Sequence, residues 1–169
     1  MPRLDPNILI AVSAALVALL LLRAWLAARR RAHAYYLRKS LFTAAETAFL
    51  QVLESVLPPG VRVFGKVRLE DFLGVKPGLD RREAQAARNR INRKHVDFLL
   101  VRTGTLAPVA GIELDDRSHE TEDRRVRDRL VDAAFASAGL PLLHVPVRAA
   151  YSAAELKGQL ADLAAKGPR

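Results

Sequence analysis

The sequence predicts an α/β domain behind a single N-terminal transmembrane helix. Three patterns carry that expectation. Ile8 to Leu22 is an unbroken charge-free run. His95 to Val101 and Val109 to Asp115 are short apolar segments joined by Thr103-Gly104-Thr105, the pattern of an antiparallel hairpin. A helical segment from Thr121 to Ala138 then leads into an apolar run, Leu140 to Val147. A hairpin followed by a helical crossover implies a mixed sheet with helices on its faces.

Each element has its own signal. If Arg23 is tolerated, the apolar run extends to Ala28, so a span over 8–28 reaches the roughly 20 residues needed to cross a bilayer. Arg23 can snorkel and Trp25 suits the interfacial belt. Arg29, Arg30 and Arg31 follow, whereas the other flank offers Arg3 offset by Asp5. The excess of positive charge puts the C-terminal domain in the cytoplasm, with the arginine trio on anionic lipid headgroups. A cleaved signal peptide is the competing reading. It is disfavoured because the charge mainly follows the apolar run and no convincing small-x-small cleavage site follows.

Residues 29–40 form a basic linker, and the domain is expected over 41–165. Thr43 and Glu46 form a capping box before Phe49, Leu50, Leu53, Val56 and Leu57, which repeat at helical spacing. Pro58-Pro59-Gly60 stops that helix. Val61 to Val67 reads as a strand with Gly65 as its bulge. Leu69 to Gly74 is a turn or short helix, and Arg81 to Asn92 is a basic helix. Gly139 and Pro141 close the Thr121 helix, Leu140 to Val147 is a buried strand, and Ser152 with Glu155 caps the last helix.

Composition narrows the chemistry. The 169 residues carry a net charge of +9 and no cysteine. That excludes disulfides, thiolate zinc sites and Cys nucleophiles. The charge points to a polyanion, either nucleic acid or anionic lipid. Arginine and alanine abundance is also what a GC-rich coding background produces, so part of the charge carries no functional meaning. The sequence has no Gly-rich phosphate loop, no Ser-His-Asp arrangement and no zinc spacing.

The acids are placed more tellingly. Glu113 and Asp115 share one face of the second hairpin strand, with Asp116 and His119 beyond its end. A turn centred near Thr105 sets Asp97 opposite Glu113, where Cβ atoms lie about 5 Å apart. Carboxylates that close need an offsetting cation or a retained proton. The expectation is a Mg²⁺ held by Asp97, Glu113 and Asp115, with Glu113, Asp115 and His119 as catalytic groups in phosphodiester hydrolysis. The bland alternative pairs these acids with Arg117, Arg124, Arg125 and Arg127, a surface cluster worth little. Arg81, Arg82, Arg88, Arg90, Arg93 and Lys94 precede the Asp97 strand. Arg90, Arg93 and Lys94 are the candidates for nucleic-acid phosphates, against a plain solvated helix face. His95 reads as exposed, and His144 as a satisfied core or edge histidine.

Val96-Asp97-Phe98, Ile112 to His119, Arg127-Asp128 and Ala138 to Leu143 together resemble the DUF2726 family, a bacterial domain of unknown function. Val63 to Leu69 also suits it, and the resemblance covers roughly Leu41 to Val147. The spacing from Glu113 through Asp115 to His119 is similar to domains related to very-short-patch repair endonucleases. These belong to the restriction-endonuclease-like superfamily named for its PD-(D/E)xK motif, whose core order is helix, three strands, helix, strand. The resemblance implies that Asp97 is the motif aspartate, Glu113 the second acid and His119 the repair-type histidine. It also implies that Arg127 and Asp128 open the following helix. Asp115 stands where that motif has lysine. Under this resemblance His119 or Lys94 takes the lysine's role, or the domain is an inactive binding or scaffold module.

Overall fold

The computed structural model describes residues 5–32, 35–115 and 122–165; side chains at 30–32, 122–127 and 164–165 lie outside the description. The chain divides into two compact units, with the boundary between Leu41 and Phe42.

The first unit is one long helix, α1 (Pro6–Ala32). Its described side chains are exposed on every side, as with Ile10, Leu16, Leu20 and Leu21. Between Pro6 and Arg29 the mean hydropathy is 2.4 and none of it is buried, so the helix is long and apolar enough to cross a membrane. The Arg29 guanidinium lies 5.2 Å from the centre of the Trp25 ring.

The second unit is a mixed α/β fold. It runs α2 (Ala44–Val56), β1 (Val61–Arg68), a 3₁₀ turn (Leu69–Asp71), α3 (Arg81–Ile91), β2 (His95–Arg102), β3 (Pro108–Asp115), α4 (Glu122–Ala138), β4 (Leu142–Pro146) and α5 (Ala153–Ala165). The strands lie in sequence order, with β1, β2 and β3 antiparallel and β4 parallel to β3 after the α4 crossover. Apolar side chains bury both faces. Phe49, Leu53, Phe98, Ile112, Leu156 and Leu160 fill one side, where α2 and α5 pack. Leu69, Leu99, Val101, Val131, Phe135 and Leu140 fill the other, beneath α3 and α4.

Local chemistry sets the ends as expected in most places. The Thr43 capping box forms, and α3 has a second one from Asp80 and Glu83. Gly139 adopts a φ of +68°, and Leu140 N–H reaches back to the Phe135 carbonyl at 3.0 Å, closing α4. α4 begins at Glu122, so Arg127 and Asp128 lie within it rather than at its opening. The Ser152 cap forms on one side only. Its hydroxyl accepts from Glu155 N–H at 3.3 Å, while the Glu155 carboxylate is drawn to Arg148 at 3.0 Å.

Two strand expectations need correction. β4 is an edge strand and only half-buried; of its five residues Val145 alone is fully buried. Gly65 is not a bulge, because register runs unbroken from Phe64↔Leu99 and Gly65↔Phe98 to Val67↔Val96. Gly65 is required for another reason: a Cβ there would lie 2.1 Å from the Phe42 ring.

The irregularity falls one residue later. Val61 and Val63 pack on the α2 side, whereas Val67 packs on the other. In β2, Phe98 and Leu100 face α2, but Val96 does not. Both strands therefore change faces at one opposed pair, Lys66 and Asp97. Lys66 has a φ of +56°, the left-handed region, which turns the chain between the two faces.

Candidate active site

Asp97 occupies the point where β2 and β3 part. Their paired register ends at Phe98↔Ile112, which brings Asp97 level with Glu113. The Asp97 carboxylate fills the gap: Oδ2 accepts the buried Leu114 N–H at 3.0 Å. Oδ1 accepts from Lys66 Nζ at 2.7 Å. Glu113 stands level with Asp97 on the neighbouring strand and helps to lower its pKa.

Lys66 Nζ also donates to Glu46 Oε1 at 2.5 Å. Glu46 reaches it because the helix start fixes it. Its Oε2 accepts the Thr43 N–H at 2.8 Å in the capping box, leaving Oε1 turned toward β1. The capping box therefore fixes one side of the acidic centre. Phe42 stacks on Phe98 with centroids 5.5 Å apart and closes the α2 side.

Electrostatics follow from this wiring. Burial works against the Asp97 carboxylate. The Lys66 hydrogen bond, the Leu114 N–H, the Lys66 charge and the Glu113 hydrogen bond outweigh it and hold Asp97 below the ordinary carboxylate range. Burial likewise works against the Lys66 ammonium, but its bonds and charge attraction to Asp97 and Glu46 raise it above the ordinary lysine value. The pair is ionised at neutral pH.

A second polar group lies beside the first. In the parallel register Glu113 faces His144 and Asp115 faces Pro146. His144 Nδ1 lies 3.1 Å from Asp115 Oδ1, and Nε2 lies 2.9 Å from Asp132 Oδ1 on α4. Burial opposes the charged imidazole, yet the two carboxylates outweigh it and push the pKa of His144 upward.

The expected site is thus brought together in part. Asp97 and Glu113 are brought level across β2 and β3. Asp115 is engaged by His144, and among the described residues no three His, Cys, Asp or Glu side chains converge to hold a metal. Asp116 and His119 lie outside the described residues. Lys66 supplies an ammonium at Asp97. The Lys94 carbonyl accepts Leu69 N–H at 2.9 Å. Arg90 and Arg93 are exposed at and just beyond the end of α3, a helix with no buried residue.

Sequence reasoning missed Glu46, Lys66 and Asp132; His144 is the satisfied edge histidine expected, and its partners are Asp115 and Asp132. Two signals were present. Lys66 is the lone lysine in the strand Val61 to Arg68, directly after a glycine. Glu46 was legible as a cap but not as a site residue, because its second oxygen is used across the fold.

Fold and site define the class: a mixed α/β domain with an acidic, lysine-bridged centre where two antiparallel strands part, following an apolar N-terminal helix. A family model described as Protein of unknown function (DUF2726) matches residues 38–163, and the chain belongs to that family. No curated protein and no solved structure matches the chain.

Proposed function

We propose that this is a membrane-anchored, nuclease-like domain that hydrolyses phosphodiesters of nucleic acid with the help of a divalent cation. The observation that carries the reading is the register that sets Asp97 level with Glu113 at the splayed end of β2 and β3, beside the Lys66 ammonium. Perturbed carboxyl groups cluster at functional sites. Their oxygens suit a hard cation such as Mg²⁺, and Asp97 and Glu113 would hold it. A bound cation of this kind supplies charge neutralisation and a more acidic water. Asp115 stands outside that pair because His144 engages it. Glu113 then positions the attacking water, and the exposed Arg90, Arg93 and half-exposed Lys94 track the phosphate backbone. His119 remains a proposed proton donor.

Anchorage rests on α1. Its apolar surface is uncovered all round, and Arg29 with Trp25 suits the interfacial end. Arg29, Arg30 and Arg31 then meet anionic headgroups on the cytoplasmic side.

One observation favours a second reading. Lys66 already neutralises Asp97, and no three-ligand metal group converges among the described residues. On that reading the domain is a non-catalytic binding module of the same architecture.

The test is a cleavage assay on the whole chain in a mild detergent. Single- and double-stranded DNA and RNA are each offered with Mg²⁺ or Mn²⁺, beside Glu113→Gln. Metal-dependent cleavage that is lost in the variant supports hydrolysis. Wild-type protein that leaves every substrate intact, yet binds nucleic acid with a steep salt dependence, favours the binding module.

A further inference from the structure

Lys66 combines a strained backbone with two acid partners. It takes a left-handed backbone conformation, φ +56°, in the middle of a strand, where a side chain with a Cβ is disfavoured. Strained positions of this kind persist where the surroundings enforce them and cluster at functional sites. The surroundings here are specific: Glu46 from α2 and Asp97 from β2 each accept one ammonium N–H, at 2.5 and 2.7 Å. An ammonium has three donors. Two are committed, and the side chain keeps 22% of its surface open to solvent. An apolar residue would close this gap at least as well as a half-buried ion pair does.

We infer that Lys66 is the residue that meets the substrate, donating its third N–H to an anionic oxygen of the phosphodiester while Glu46 and Asp97 aim it. The inference rests on the hydrolytic reading above. It adds the group that receives the substrate's charge and a positioning role for Glu46. The ammonium stays protonated throughout and stabilises negative charge that grows as the phosphate is attacked. No bond to Lys66 forms or breaks. Glu46 acts through Lys66 and touches no substrate.

The test compares whole-chain variants in the same detergent. The chain has no cysteine, so Lys66→Cys introduces a single thiol that 2-bromoethylamine converts into a lysine-like amine. The expected results are a loss of about a hundredfold in kcat for Lys66→Cys, recovery on aminoethylation, and a smaller loss for Glu46→Gln. Lys66→Arg keeps both acid partners and the melting temperature. It loses activity because its planar fork cannot reproduce a point donor.

If wild type cleaves and Glu113→Gln does not, but Lys66→Cys or Lys66→Arg cleaves at the wild-type rate, the inference is overturned and the hydrolytic reading stands. If wild type cleaves nothing, the hydrolytic reading falls and takes the inference with it. Should Lys66→Cys fail to fold, Lys66→Arg and Glu46→Gln decide at matched melting temperature. A wild-type rate in Lys66→Arg overturns the inference, and one in Glu46→Gln removes the positioning role.

Discussion

Replacing Asp97 by alanine tests the centre most directly, because the carboxylate has two structural duties. It accepts a buried backbone N–H from Leu114 and a half-buried ammonium from Lys66. Alanine leaves the Leu114 N–H without a partner, which costs about 1–3 kcal/mol. Lys66 loses one acid but keeps Glu46 and some solvent, so that part of the loss is about 1 kcal/mol. The expected total is near 3 kcal/mol, with Asp97→Asn at about half, since an amide oxygen can keep one of the two donors. Tryptophan fluorescence is a poor probe, because the single tryptophan, Trp25, lies in α1. Hydrogen exchange of β2 and β3 amides reads the site itself. The Leu114 amide should exchange about a hundredfold faster in Asp97→Ala, as a loss near 3 kcal/mol implies. The same bond has an acid limit. Asp97 titrates below its ordinary value of 3.8, so its contribution is present above that pH and lost as pH falls through the depressed value. Exchange at Leu114 within threefold of wild type in Asp97→Ala would refute the claim that the carboxylate bridges the strand gap.

Two further outcomes follow from neighbouring geometry. Gly65→Ala places a Cβ 2.1 Å from the Phe42 ring, and this overpacking should cost about 1–3 kcal/mol in urea unfolding at unchanged m. Phe42→Leu should recover part of that loss, and additive losses would count against the contact. His144 should remain protonated above the ordinary imidazole value of 6.5, as read by NMR of its ring carbons. Its stabilising effect is complete below 6.5 and disappears as pH rises through the raised value. Its facing groups are Asp115 on β3, Asp132 on α4 and the register neighbour Glu113. Asp132→Asn should lower the titration, and an unchanged midpoint would exclude that contact.

The sheet was legible because its signals are local. Short apolar runs fixed β2 and β3, and a turn centred near Thr105 correctly put Asp97 level with Glu113. Gly139 fixed the end of α4. The edge position of β4 was not legible, since an apolar run of that length reads the same at a centre or an edge. The change of faces at Lys66 and Asp97 was invisible because period-two reasoning assumes no residue leaves the extended region. The contacts of Lys66 and His144 join residues 20, 31, 29 and 12 positions apart, and sequence spacing holds no trace of such pairings.

Glu46 shows how a local signal can carry a long-range consequence, and it supports one more prediction. Its two carboxylate oxygens are divided between the start of α2 and the Lys66 ammonium. If the cap fixes the aim of Glu46, then capping and the acidic centre are energetically coupled. Thr43→Ala removes the hydroxyl that accepts Glu46 N–H at 3.2 Å and should cost about 1 kcal/mol. Lys66→Met removes the ammonium. In a double-mutant cycle the two losses should fall short of additive by more than about 0.5 kcal/mol, because each single change already loosens Glu46. Additivity within about 0.3 kcal/mol would mean that α2 begins independently of the site. Glu46 would then be a cap that happens to lie near a lysine, and the acidic centre would have to be held by β1, β2 and β3 alone.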